Sequence, residues 1–128
     1  TGKLCPNGWR VPTDTDFSVL ETTLGMAASQ AEVWGFRGTD HGLKMKNTSG
    51  WDENGNGTNS SGFTALPGGY RYGLDGMFVL QTTITYWWTA SEHDADRGWY
   101  RRLDSSSDQV YRASTSKKGG KYVRCVKN

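Results

Sequence analysis

Few side chains in this 128-residue chain have the type and spacing that chemistry needs. Cys5 and Cys125 are its two cysteines, near opposite ends. They are either two unrelated thiols or one bridge, and the bridge is the favoured reading. Closing so long a loop stabilises by about 4–5 kcal/mol, through entropy lost by the unfolded chain. It would bring both termini to one side of the domain and imply an oxidising compartment: cell surface, periplasm, secreted or virion. His41 and His93 lack cysteine or carboxylate partners at ligand spacing, so both are read as solvent-facing and zinc is not expected. Asp52, Asn54, Asn56 and Gly57 open like an EF-hand calcium loop, yet Phe63 stands where the bidentate Glu belongs. A turn-rich loop is the better reading there. No nucleophile, base and orienting group can be assembled from spacing, so no enzyme activity, metal or cofactor is expected.

The remaining candidates suit recognition. In the last third, anchors (Trp87, Trp88, Trp99, Leu103, Val110, Val123, Cys125) alternate with short polar runs. These are His93-Asp94-Ala95-Asp96-Arg97, Asp104-Ser105-Ser106-Ser107-Asp108 and Ala113-Ser114-Thr115-Ser116. Tyr100, Arg102 and Tyr111 lie between them, and Tyr and Arg are over-represented at binding hot spots. Trp87, Trp88 and Trp99 could stack on a sugar, but core packing is the preferred reading, with room for one of the adjacent pair to face out.

These residues must be positioned by strands. Successive strand side chains point to opposite faces. If Trp99 and Leu103 face the core, Arg101 goes with them, and Tyr100, Arg102 and Asp104 face out. If Val110 faces in, so does Arg112, while Tyr111 and Ala113 face out. Arg101 and Arg112 would then pair carboxylates such as Asp14 or Glu92. Residues 104–109 read as a hairpin loop, and the outward set plus the loop reads as one contiguous surface.

Upstream, Trp9 precedes Pro12 in a short edge strand. Thr13 and Asp16 approximate a capping box for a helix over 14–24, with Phe17, Leu20 and Leu24 on one face and Gly25 as the stop. A weaker helix covers 29–34. Residues 35–76 are rich in Gly, Asn and Ser, with Trp51, Phe63, Leu66 and Tyr70 as isolated anchors, so this stretch reads as a long functional or aromatic-pinned loop. Short strands are expected at 78–80, 84–88, 99–103, 110–112 and 122–126.

Composition narrows the function further. The length suits one domain, residues 1–128, that buries roughly two thirds of its unfolded surface. Net charge is +2 with the basic residues scattered, so no nucleic acid or membrane-surface partner is indicated. No apolar run approaches the ~20 residues that span a bilayer. Seventeen Gly and six Trp point to a loop-rich fold held by large aromatics. The chain opens on Thr1, so it reads as a piece of a longer protein, with an upstream leader or lipid anchor left open. Three sequons, at Asn47, Asn56 and Asn59, matter only in a eukaryotic host.

Several blocks carry a family resemblance. They are Cys5-Pro6-Asn7-Gly8-Trp9-Arg10-Val11-Pro12; Gly38-Thr39-Asp40 with Gly42, Lys44 and Lys46; Ser61-Gly62-Phe63 with Ala65-Leu66-Pro67-Gly68-Gly69-Tyr70-Arg71; Trp87-Trp88 with Ser91-Glu92; Trp99-Tyr100-Arg101 with Leu103; and Val123-Arg124-Cys125-Val126. In this order they resemble the Fibrobacter succinogenes major paralogous domain over essentially the whole chain. That family is similar to the C-type-lectin-like fold in the variant of formylglycine-generating enzymes. The resemblance implies an α+β domain with two helices, a small twisted antiparallel sheet, long loops and adjacent termini, on a bacterial exported or surface protein. It agrees with pairing Cys5 to Cys125.

Relatives of this fold include variable proteins of diversity-generating retroelements, in which adenine-directed mutagenesis alters surface codons near the end of the gene. Mutating the adenines of an Asn codon cannot yield Lys, Glu, Gln, Met or Trp. Between His93 and Ser116 the residues of those types are Trp99, read as scaffold, and Gln109. The Glu-Pro-Asn or Gln-Pro-Asp signature of calcium-dependent sugar binding is missing, and the internal cysteine pair of formylglycine-generating enzymes has no counterpart.

The expectation is therefore a non-enzymatic binding module. Its site would comprise His93, Asp94, Asp96, Arg97, Tyr100, Arg102, Asp104, Ser105, Ser106, Ser107, Asp108, Tyr111, Ala113, Ser114 and Ser116, supported from beneath by residues 38–69. The expected partner is another protein or a cell-surface polymer, and the expected location is extracellular or on the cell surface. The alternative is a structural or adhesive repeat unit of a bacterial surface protein.

Overall fold

A computed structural model describes residues 4–128. The first helix, α1 (Asp14–Thr23), starts where the cap residues place it. Thr13 Oγ1 accepts from the Asp16 amide at 3.1 Å, and the Asp16 carboxylate accepts from the Thr13 amide at 2.7 Å. Two orphan amides are thereby satisfied. Phe17 is buried, Leu20 and Leu24 are partly buried, and Gly25 at φ 106° turns the chain out of the helix.

The second helix is a single turn, α2 (Ala28–Ala31), shorter than expected. Its end is set from outside: Arg37 donates to the Ala31 carbonyl at 3.2 Å and Arg112 to the Glu32 carbonyl. Those carbonyls would otherwise be the unpaired end of a longer helix. The chain then enters β2 (Gly35–Arg37) and a third helix, α3 (His41–Met45). Neither has a sequence period long enough to see.

Past the first strand β1 (Trp9–Arg10), the main strands are β5 (Ile84–Glu92), β6 (Arg97–Asp104) and β7 (Val110–Ser116). All three run beyond their apolar segments, because their polar tails pair through the backbone without any hydrophobic alternation. With β2 they form a four-stranded antiparallel sheet in the order β2-β7-β6-β5. A small hairpin, β3 (Tyr70–Arg71) with β4 (Phe78–Val79), forms a separate two-stranded sheet. Of the strand expected over 122–126 only Val126 lies in a strand, β8 (Val126–Lys127), which pairs with β1 so that Trp9 faces Lys127. Tyr122 makes only a single bridge to Trp87. Cys5 and Cys125 are disulfide-bonded, their Cα atoms 5.8 Å apart. The protein is thus a mixed α+β domain of three helices and antiparallel sheets, with its termini clamped together.

One core joins these parts. Trp87, Leu103 and Val110 from the sheet meet Phe17 of α1 and Met45 of α3, with Trp51, Phe63 and Ala65 from the long loop. Trp51 Nε1 donates to the Ala65 carbonyl at 3.0 Å, and Phe63 packs edge-on to Trp87 at 5.3 Å. The Gly-rich stretch is therefore pinned by its own aromatics, although Leu66 lies outside on the surface.

The inner sheet face also carries charge. Arg101 donates to Glu21 at 2.8 Å and to Asp14, Arg112 reaches Asp14 at 2.7 Å, and Arg37 bonds Glu21. The inward placement of Arg101 and Arg112 and the pairing with Asp14 match the alternation. Glu92 does not take part and instead binds Lys117 at 2.7 Å. Burial pushes the Asp14 carboxyl up, but bonds from Arg112 and Arg101 outweigh it and hold it below its ordinary range.

Candidate recognition surface

The loop at 104–109 is held from below. Lys46 is fully buried, and its Nζ donates to the carbonyls of Asp104 at 3.0 Å and Ser107 at 2.9 Å. Its nearest carboxylate oxygen, on Asp108, is 3.9 Å away. Burial lowers the Lys46 pKa, with Asp108 and Asp104 opposing. The amides of Gly42 and Leu43 donate to the Asp108 carbonyl at 2.7 and 3.2 Å, and the Gln109 side chain donates to the Gly38 carbonyl at 2.7 Å. Contact is close enough that glycine is required twice. A Cβ on Gly42 would come within 2.5 Å of the Gln109 carbonyl, and one on Gly55 within 2.4 Å of that of Ser105. Of residues 38–69, the part from Gly38 to Gly55 lies against this loop. The Asp52 segment is a tight turn, with Asn56 Oδ1 accepting from the Trp51 amide at 2.9 Å.

The loop is only partly available. Ser106 and Asp108 are exposed and Ser107 is half-buried, whereas Asp104 and Ser105 are buried. Asp104 was expected to face solvent. It instead accepts from Arg102 Nε at 2.5 Å and from the second guanidinium nitrogen, a bidentate pair that raises the Arg102 pKa above its ordinary value.

Residues 93–97 lie at the opposite end of the hairpin, since Arg97 pairs with Ser116. Here Asp94 organises the turn. It accepts from the amides of Asp96 at 3.0 Å and Arg97 at 2.8 Å, from Arg97 Nε at 2.7 Å, and lies 3.2 Å from His93 Nδ1. The Arg97 bond, ahead of the amides, holds Asp94 well below the usual carboxylate range. His93 packs edge-on to Trp34 and Trp99. The eight residues of β6 put about 25 Å between the two loops. The expected single surface is thus two separate ends joined by the outer face of the sheet.

That outer face carries Tyr86 and Trp88 of β5, Tyr100 and Arg102 of β6, Tyr111 and Ala113 of β7, and Phe36 of β2. The Arg102 guanidinium lies 4.9 Å from the Tyr111 ring centre, 5.5 Å from Phe36 and 5.8 Å from Tyr86. The facing assignment matches the alternation, but the exposure does not. Tyr100 is 9% and Ala113 7% exposed, because residues 117–122 and the β3–β4 hairpin fold back over this part of the sheet. Burial, then the neighbouring Tyr111, raises the Tyr100 hydroxyl to about 12. Ser114 is half-buried, and its hydroxyl is enclosed without a partner among the described residues.

Trp87 is core and Trp88 faces out, the division left open for that pair. Trp99 is half-buried against Trp34, with the Arg112 guanidinium 3.9 Å from its ring centre. His41 is buried, not solvent-facing. Its Nδ1 accepts from the Thr39 amide at 3.2 Å while its Nε2 has no partner among the described residues. Among the described residues no group of His, Cys, Asp and Glu is placed to hold a metal.

A profile of the Fibrobacter succinogenes major domain matches residues 1–127. The chain belongs to that family. No curated protein and no solved structure matches it.

In this Fibrobacter succinogenes major domain the blocks that carried the resemblance have physical roles. The Gly38 to Lys46 block holds the 104–109 loop, the Trp99 block supplies inner-face packing and charge, and the Cys5 and Cys125 blocks tie the ends. One feature of the domain has no sequence signal. The turn after β7 carries Lys121 back onto the outer face, beside a cavity of about 280 Å³ walled by Tyr70, Tyr72, Tyr86 and Tyr100. Lys121 is one of several scattered lysines in sequence, and only the return of the chain gives it an environment.

Proposed function

We propose that this domain is a non-enzymatic ligand-binding module of C-type-lectin-like arrangement, and that it recognises its partner with the outer face of the four-stranded sheet. One observation carries the reading: the two faces of β6 and β7 are divided by role. The inner face is locked by Asp14, Glu21, Arg37, Arg101 and Arg112, which position the strands. The outer face presents Arg102 among Tyr111, Phe36 and Tyr86, with Phe36 40% exposed. Aromatic side chains and a planar cation on a rigid frame bind by contact area at small entropic cost.

Two groups stand out among the expected site residues, beside Tyr100, Arg102 and Ser114 of the strands. Asp94, Asp104, Ser105 and Ala113 hold or fill the frame. His93, Asp96, Arg97, Ser106, Ser107, Asp108, Tyr111 and Ser116 can change without touching the inner network. Retroelement-driven diversification, the sharper form of the reading, would act on this second group. A reverse transcriptase gene and a near-copy of the gene's end, with adenines at those codons, would establish it. A bacterial surface or exported location fits the disulfide, and no described helix is long and apolar enough to cross a membrane.

The experiment is a glycan and extracellular-protein array probed with the wild-type domain and with Phe36→Ala/Tyr111→Ala. A ligand lost by the double variant at nearly unchanged melting temperature supports the reading. An array ligand held equally by both sinks the face assignment. No array ligand for the wild type leaves the structural or adhesive repeat unit as the better account.

A further inference from the structure

Lys121 is held in place from both sides. The Tyr122 amide donates to the Tyr86 carbonyl at 3.0 Å, the Trp88 amide donates to the Tyr122 carbonyl at 2.9 Å, and Gly120 exchanges two 2.9 Å backbone bonds with Arg71. The backbone on both sides of Lys121 is thereby fixed. The Lys121 Nζ lies 4.2 Å from the Trp88 ring centre, 5.3 Å from Tyr86 and Tyr100, and 5.7 Å from Tyr70. Such ring faces attract a cation.

They do not satisfy its three N–H donors. Lys44, Lys46 and Lys117 each donate to carbonyls or carboxylates. Lys121 Nζ has no hydrogen bond and no carboxylate within salt-bridge distance among the described residues. The cavity beside it is lined by no Asp or Glu, and Lys118 adds a second positive charge. The hydroxyls of Tyr70, Tyr72 and Tyr100 also lack partners among the described residues. These groups border a cavity open to solvent, where an occupant can exchange their water contacts for direct hydrogen bonds.

We propose that this cavity binds a single sugar ring bearing a carboxylate, of the uronic-acid kind. The carboxylate accepts from Lys121, the C–H face of the ring lies against the tyrosine walls, and the ring hydroxyls exchange hydrogen bonds with the tyrosine hydroxyls and Thr115 at the rim. A volume of about 280 Å³ is near the low end for small-molecule sites, which suits one ring. A neutral sugar leaves the ammonium unpaired, and an aryl carboxylate leaves the hydroxyls unpaired. Burial holds the Lys121 amine near a pKa of about 8, so an arriving anion also favours its charged form. The inference rests on the binding-module reading and names a ligand class and a second part of the same face.

The test is titration of the wild-type domain with D-glucuronate at pH 7, followed by tryptophan fluorescence and saturation-transfer NMR. D-glucose and benzoate serve as the neutral ring and the bare carboxylate. We expect saturable glucuronate binding with Kd of about 1 mM, and glucose and benzoate each weaker by about tenfold or more, a difference of about 1.4 kcal/mol. Lys121→Met should lose glucuronate to the same degree, and Lys121→Arg should keep part of it. Tyr72→Ser, at the exposed rim, should weaken binding at unchanged melting temperature and guards against misfolding of the lysine variant. No glucuronate binding by the wild type overturns the proposal. So does glucose or benzoate binding equally well, or Lys121→Met behaving as wild type. An array ligand that Lys121→Met retains but Phe36→Ala/Tyr111→Ala loses would leave the module reading standing while the sugar assignment failed.

Discussion

Arg112 donates to Asp14 Oδ2 at 2.7 Å across 98 positions of sequence, tying the first turn of α1 to the central strands. Arg101 converges on the same carboxylate. Asp14→Ala would leave both arginines buried with only part of their counter-charge. Removing one partner of such a network costs about 3–5 kcal/mol. Chemical denaturation should show that loss, and Asp14→Asn should recover little of it, because an amide restores shape without charge.

Lys46 should act locally. Lys46→Met keeps the buried stem but removes the donor from two loop carbonyls, at about 1.5–3 kcal/mol for a charged hydrogen bond. Amide exchange should quicken in residues 104–109 and leave β5 nearly unchanged. An equal increase throughout the sheet would show that the lysine holds the whole fold and not the loop.

Cys5→Ser/Cys125→Ser should lower stability by about 4–5 kcal/mol. The β1–β8 pair should lose exchange protection first, since two residues in each strand are all that remain to hold the ends. The four-stranded sheet has its own core and should persist until global unfolding.

The Lys121 amine gives a pH signature. Burial lowers it from 10.5 to about 8, so between these values the unfolded chain holds more protons than the folded one. Stability contributed by this group therefore rises as pH climbs through that window. Wild type should gain melting temperature relative to Lys121→Met from about pH 8 to 10.5. Tyr70, Tyr86 and Tyr100 face the amine from β3, β5 and β6, and Lys118 neighbours it on its own turn. Tyr100, raised to about 12, has the opposite slope above pH 10 in both proteins, and the comparison cancels it. A flat difference between the two proteins would show that the amine is not desolvated.

The helix start at Thr13 and Asp16, the inward set of Arg101, Leu103, Val110 and Arg112, and the bond between Cys5 and Cys125 were all legible in the sequence. Each follows from a local rule or a unique pairing: a cap spanning four residues, a strand period of two, two cysteines in the chain. Coverage was not legible. Alternation places Tyr100, Asp104 and Ala113 on the outer face but cannot say that residues 117–122 and the β3–β4 hairpin return to bury part of it, or that Arg102 will consume Asp104. The same applies to β2 and α3, which are too short to show a period and exist because β7 and the 104–109 loop offer them partners. Facing is decided by neighbours in sequence. Exposure, and the setting of Lys121 among four aromatic rings, is decided by segments that meet only when the chain has folded.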